Sequence, residues 1–169
     1  MMDIYILRHA VAVSREEYQG QEDASRPLTP KGEKEMRKAA KGMKEMGVEF
    51  DLLLSSPYLR CVQTAEIVNN VFKRPVEIEF SKHLKPEGAS KELMEEINRK
   101  YRARRSLLLV GHEPYLSALI TLWLGGFENM AIELKKGGLC KLTANRLTHG
   151  RCATLEWLLT PRQLMKLRR

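Results

Sequence analysis

Cysteine is scarce and unpaired in this chain of 169 residues: only Cys61, Cys140 and Cys152 are present, none in a C-x-x-C spacing. An odd, unpaired set signals neither a zinc ribbon nor a redox pair. Long apolar runs are also missing, all falling far short of the ~20 residues of a membrane span. Met1-Met2 leads straight into an apolar run, which leaves no room for a secretory leader. These absences make a reducing cytoplasm the expected location and exclude a membrane partner. Aromatic residues make up only 7% of the chain. The basic stretches Arg99–Arg105 and Lys166–Arg169 show neither basic-aromatic interleaving nor a named motif, so no nucleic-acid partner is expected. No G-x-S-x-G elbow points to a serine nucleophile, and no internal repeat or interdomain linker interrupts the chain.

What is present fits one domain over residues 1–169. Hydrophobic residues at 43% and charged residues at 30% are ordinary for a globular chain. The formal net charge of +8 favours anionic substrates or partners, although basic groups near helix C-termini also complement the dipole. Asp3–Leu7 and Ser106–Val110 are apolar without alternation, the pattern of strands buried on both faces. Phe50–Leu54 reads as a further strand, and Val76–Phe80 alternates as a strand near the sheet edge does. Gly138–Ala144 and Arg151–Leu158 read as a hairpin, with Ala153, Leu155, Trp157 and Leu159 on one face.

Helices lie between the strands. Thr29 and Pro30 open one that buries Met36, Ala39, Ala40 and Met43 and ends at Gly47. Ser56 and Pro57 open a second, Ser90 caps a third, and Pro114 opens a fourth that Gly125-Gly126 closes. The expected fold is α/β: a three-layer α/β/α sandwich with a mostly parallel central sheet and a C-terminal hairpin at or near an edge. Residues 10–28 form a loop long enough to be functional, and it directly follows the first strand.

Ligands bind at the carboxyl ends of strands in such sheets. Arg8-His9 ends the first strand and Gly111-His112 ends the 106–110 strand; Arg60 falls in the first turn of the helix that follows Phe50–Leu54. Helix N-termini favour anions, and a guanidinium there offers a planar fork to phosphate oxygens. Flanking cations oppose a divalent ion at His9, His112 and Glu113, so no metal is expected, and no cofactor. Two arginines around two imidazoles describe a phosphoryl pocket. In it the arginines neutralise equatorial oxygens, one histidine attacks phosphorus and the other donates a hydrogen bond.

Leu7-Arg8-His9, then Ser56-Pro57-Tyr58-Leu59-Arg60 with Gln63-Thr64-Ala65, then Gly111-His112 resemble the three signatures of the histidine phosphatase superfamily, which is phosphoglycerate mutase-like in fold. The likeness is nearest to the small SixA-type phosphohistidine phosphatases. Arg26-Pro27-Leu28-Thr29, Leu84-Lys85-Pro86-Glu87-Gly88 and Glu156–Pro161 carry that likeness across nearly the whole chain. The resemblance implies that His9 becomes phosphorylated, that Arg8, Arg60 and His112 hold the phosphoryl group, and that water hydrolyses the intermediate. His9 must then be neutral, with its second ring nitrogen bonded to backbone.

Ala10 stands where the family usually has Gly. Lys85 stands where larger relatives carry their general acid, which leaves Glu87 as the nearest carboxylate candidate, with a solvated turn residue as its bland alternative. An imidazole leaving group, with an unperturbed pKa of about 6.5, can depart already protonated. A weak or absent acid therefore favours phosphohistidine over phosphate esters. Residues 81–105 have no room for a lid, so an open groove facing a phosphohistidine-bearing protein, such as a phosphotransfer domain, is expected. A phosphatase for a small phosphate ester and a non-catalytic phosphoryl-binding module are the alternatives. The roles of Arg26 and Ser14, and the oligomeric state, are left open by the sequence.

Overall fold

The computed structural model describes all residues except Gly20, Glu128, Asn129, Arg168 and Arg169, so the last two residues of the basic stretch Lys166–Arg169 lie outside the described part. The strands are β1 (Met2–Arg8), β2 (Leu52–Ser55), β3 (Ile78–Phe80), β4 (Ser106–Gly111), β5 (Leu139–Ala144) and β6 (Ala153–Leu159). The helices are α1 (Pro30–Glu45), α2 (Leu59–Val71), α3 (Ser90–Lys100), α4 (Tyr115–Gly125) and α5 (Pro161–Leu167). The six strands form one sheet in the order β3-β2-β4-β1-β5-β6. β3, β2, β4 and β1 run parallel, and the β5–β6 hairpin closes the far edge antiparallel.

Unbroken apolar runs produce this architecture because successive strand residues face opposite sides. Ile4 and Ile6 join Leu107 and Leu109 in a core covered by α3 and α4. Tyr5 and Leu7 join Leu108 and Val110 in a second core covered by α1, α2 and α5. The result is the expected three-layer α/β/α sandwich, with β1 and β4 at its centre.

Local signals set the helix ends. The Thr29 side chain accepts from the Gly32 N–H at 3.0 Å, and Pro30 is the first helical residue. Gly47 follows α1 at φ +74°, with Val48 N–H bonded back to Met43 O at 3.1 Å. Gly32 lets the loop after His9 lie against α1, since a Cβ there would meet Val11 O at 2.1 Å.

Three local expectations need correction. α2 starts at Leu59 with Tyr58 at the cap position and no side-chain cap; the Ser56 hydroxyl, two residues earlier, accepts from the Tyr58 N–H at 3.3 Å and also bonds His112, and Arg60 still falls in the first turn. Ser90 is the first residue of α3 rather than its cap. In β6 the pairing register shifts opposite Lys141/Leu142, and this irregularity turns the strand over. Trp157 and Leu159 pack on the α1/α5 side, Ala153 packs on the other, and Leu155 is 44% exposed, so the four do not share a face.

Candidate active site

Parallel pairing of β1 with β4 sets Arg8 beside Gly111, so the next residue of each strand is a histidine. The His9 and His112 rings lie 5.3 Å apart, centroid to centroid, and both are buried. The His9 N–H donates to Gly111 O at 3.1 Å. His9 Nδ1 lies 2.7 Å from Ala10 O. A carbonyl only accepts, so Nδ1 carries the ring proton and Nε2 carries the lone pair. Burial, with Arg60, Arg8 and Lys136 adding to it against the Ala10 bond, pushes the His9 pKa down to about 3.

Thr64 holds this arrangement in place. Its hydroxyl accepts from the Ala10 N–H at 3.1 Å and donates to Arg60 O at 2.6 Å, tying the His9 loop to the first turn of α2. Thr64→Val keeps the shape but strands a buried N–H. It should lower the unfolding free energy by about 1–3 kcal/mol, read from urea denaturation of both proteins.

His112 Nε2 is 2.8 Å from Ser56 Oγ and 3.4 Å from Cys61 Sγ. Tyr58 packs its ring edge-on at 5.2 Å. Burial, then His9 and Arg60, push the His112 pKa down to about 2, and burial pushes the Cys61 thiol up to about 12. Both imidazoles are therefore neutral, and pH dependence of stability follows. In the unfolded chain they take up protons near pH 6.5; in the folded chain they refuse them until about 3 and about 2. Their contribution is intact above about pH 7. As acid is added it is lost, by up to about 1.4 kcal/mol per pH unit for each imidazole. Urea midpoints should be clearly lower at about pH 5 than at about pH 7.5.

Arg60 is only 2% exposed. Its Nη1 donates to Asp23 O at 2.8 Å and its Nη2 to Asp23 Oδ2 at 3.0 Å, while its plane lies over Tyr58 at 5.1 Å. Arg8 donates from Nη1 to Leu134 O at 3.0 Å. The Nε atoms of both arginines are buried without a hydrogen-bond partner. A buried guanidinium N–H without a partner is costly, so these two are donors that no protein group satisfies.

The long loop reaches the site through Asp23. Its second carboxylate oxygen accepts from Arg26 Nε at 3.0 Å, and Arg26 also donates to Val13 O at 2.7 Å. Burial alone would raise the Asp23 pKa, but Arg60 and Arg26 outweigh it and hold the carboxyl below its ordinary value. Ser14 is exposed and hydrogen-bonds within its own turn to Glu17, away from the histidines.

Glu87 stands exposed on the rim of a cleft of about 470 Å³, shared with Asp23, Arg26 and Tyr58. Glu113 caps α4, its carboxylate accepting from the Ser117 N–H at 3.0 Å and hydroxyl at 2.6 Å. Among the described residues no group of three or more His, Cys, Asp or Glu is placed to hold a metal ion. Arg8, His9, Arg60 and His112 thus converge, while the cleft that Glu87 lines is bounded by Asp23 and Tyr58, which contact Arg60 and His112, and not by the four themselves. Asp23, Ser56, Thr64 and Lys136 are the partners that sequence reasoning did not assign. Thr64 had a signal in its place one turn beyond Arg60; Asp23 and Lys136 had none, being single charges on loops.

The family model of the histidine phosphatase superfamily, branch 1, matches residues 4–85. An uncharacterized protein of Picosynechococcus sp. (strain ATCC 27264 / PCC 7002 / PR-6) is 34% identical over 142 residues, 83% of this chain and 84% of that one. Phosphohistidine phosphatase SixA of Escherichia coli (strain K12) is 36% identical over 87 residues, 52% of each chain. The structure of the protein histidine phosphatase SixA complexed with tungstate superimposes with a TM-score of 0.81 at 27% identity, covering 96% of this chain and 99% of that chain.

Proposed function

This chain belongs to the histidine phosphatase superfamily, and on that premise we propose that it is a phosphatase working through a phosphorylated His9, with phosphohistidine borne by a protein as its substrate. The observation that carries this reading is the 2.7 Å contact of His9 Nδ1 with Ala10 O, in a ring that lies 5.3 Å from His112 and feels the charges of Arg60 and Arg8.

The chemistry runs in two displacements. The Nε2 lone pair of His9 forms a bond to phosphorus as the substrate's P–N bond breaks. The leaving imidazole, protonated on its distal nitrogen, departs neutral. Arg8 and Arg60 offset the charge on the equatorial oxygens. In the tautomer this reading assigns, His112 Nε2 accepts the Ser56 O–H and its Nδ1–H donates to a phosphoryl oxygen. Because Ala10 O keeps the proton on Nδ1, phosphorylated His9 is a cationic ring. Water then attacks phosphorus, the P–N bond to His9 breaks, and His9 leaves as the neutral imidazole it began as, releasing phosphate and a proton. No step requires a carboxylic acid.

The open rim supports a macromolecular substrate. Between β3 and β4 the chain holds only a short turn at Lys82–Leu84 and helix α3, with no domain to close over the cleft. A substrate panel tests the reading: a phosphohistidine peptide against p-nitrophenyl phosphate and sugar phosphates. The peptide should be turned over with kcat/KM at least tenfold above every ester; a preference for a small ester sinks the protein-substrate reading. Glu87→Gln should leave phosphohistidine turnover within about twofold and lower ester turnover further, because an alkoxide needs a proton that imidazole does not. A large loss on the phosphohistidine peptide would place Glu87 in the main reaction.

A further inference from the structure

The end of the sheet opposite the histidines holds a second recess, of about 790 Å³. It lies where β1 and β4 begin, among the end of α3, the turn at residues 101–105 and the loop after β5. Arg102, Arg104, Arg105 and Arg146 line it, and no carboxylate does. Among the described residues none of these guanidiniums has an ion pair, whereas Arg15, Arg26 and Arg60 all do.

Neighbouring carboxylates are committed elsewhere. Asp51 accepts from the backbone N–H of Arg105 at 3.0 Å and of Ser106 at 3.1 Å. Asp3 pairs with Lys141 at 3.2 Å, and Glu79 accepts from the Tyr101 hydroxyl at 2.5 Å. Four like charges in a concave wall that no carboxylate lines focus an anion into it.

We propose that this recess binds a small molecule carrying two or more linked phosphates. Its volume lies within the range of small-molecule sites. Guanidinium forks match phosphate oxygens in pairs. A strand of acidic peptide spaces its same-face carboxylates roughly 7 Å apart, whereas linked phosphates gather their charge within one such recess. Met2 and Ile97 add an apolar floor for an organic portion of the ligand. The seven residues of β1 set the recess roughly 20 Å from His9 at about 3.3 Å per residue. It is therefore a site separate from the phosphoryl pocket, and it stands whatever the substrate at His9 proves to be.

Calorimetric titration of the full chain with inorganic triphosphate and with ATP, at fixed salt, tests the proposal. Each should bind with one equivalent that survives Arg60→Ala and is weakened at least tenfold in the double variant Arg104→Ala/Arg146→Ala. Those two side chains are exposed, so the fold should be kept, and the circular dichroism spectrum checks it. Tighter binding of ATP than of triphosphate assigns the apolar floor to the nucleoside; equal binding shows that the phosphates alone are read. No binding of either probe at millimolar concentration overturns the proposal. So does binding that is lost in Arg60→Ala yet unchanged in the double variant, which would place it in the catalytic cleft. Capture of a single-stranded oligonucleotide with no binding of either triphosphate also overturns it, by making the patch a surface for polymers.

Discussion

His9→Ala should bring hydrolysis of a phosphohistidine peptide down by a factor on the order of 10³ or more, to the level set by binding and electrostatics alone. No neighbour can take its place. His112 sits 5.3 Å away with Nε2 held on Ser56, and the Cys61 thiol is kept protonated by burial. The scaffold should survive, because Arg8 is held by the β1–β4 ladder and Ala10 N–H by the Thr64 hydroxyl, neither through the His9 ring. The same variant should abolish an acid-labile phosphoryl label that the wild type acquires from substrate. A folded variant that keeps near wild-type turnover would remove His9 from the mechanism.

Arg60→Ala is expected to lower kcat/KM by about 10²- to 10³-fold, the usual cost of losing one preorganised donor at developing charge. It should also weaken inhibition by inorganic phosphate, since one of the guanidinium charges that reach His9 and His112 disappears. The loss has a second part. Arg60 holds Asp23 through both its carbonyl and its carboxylate, so the loop carrying Arg26 is released with it. Lysine should not rescue the variant, because a point-like ammonium lacks the planar fork that grips Asp23 O and Oδ2 from two separate nitrogens. Equal phosphate inhibition constants in wild type and variant would take Arg60 out of the pocket.

Much of this site was readable because its residues sit at element ends that announce themselves. Arg8 and His9 follow an apolar run with no alternation, His112 follows another, and Arg60 follows a strand and a Ser-Pro pair. What failed was the reading of polar side chains with two uses. Ser56 has the chemistry of a helix cap, and sequence could not weigh that against an imidazole delivered from residue 112. The face assigned to β6 failed for a related reason. Alternation is a local rule, and the register shift opposite Lys141/Leu142 is imposed by the partner strand.

By itself the sequence determined the layered α/β plan, the central place of the two apolar strands with Arg8, His9 and His112 at their ends, and Arg60 in a helix's first turn, because burial and periodicity are properties of short stretches. Only the tertiary structure decided how those side chains are tuned. The Thr64 hydroxyl that holds Ala10 and the Asp23 carboxylate that braces Arg60 are contacts between distant segments, and the first of them holds the backbone on which the Ala10 carbonyl meets the His9 ring. Desolvation that keeps both imidazoles neutral is likewise a property of the assembled core. Such effects depend on distance in space and on the exclusion of water, and neither is encoded in the spacing of residues along the chain.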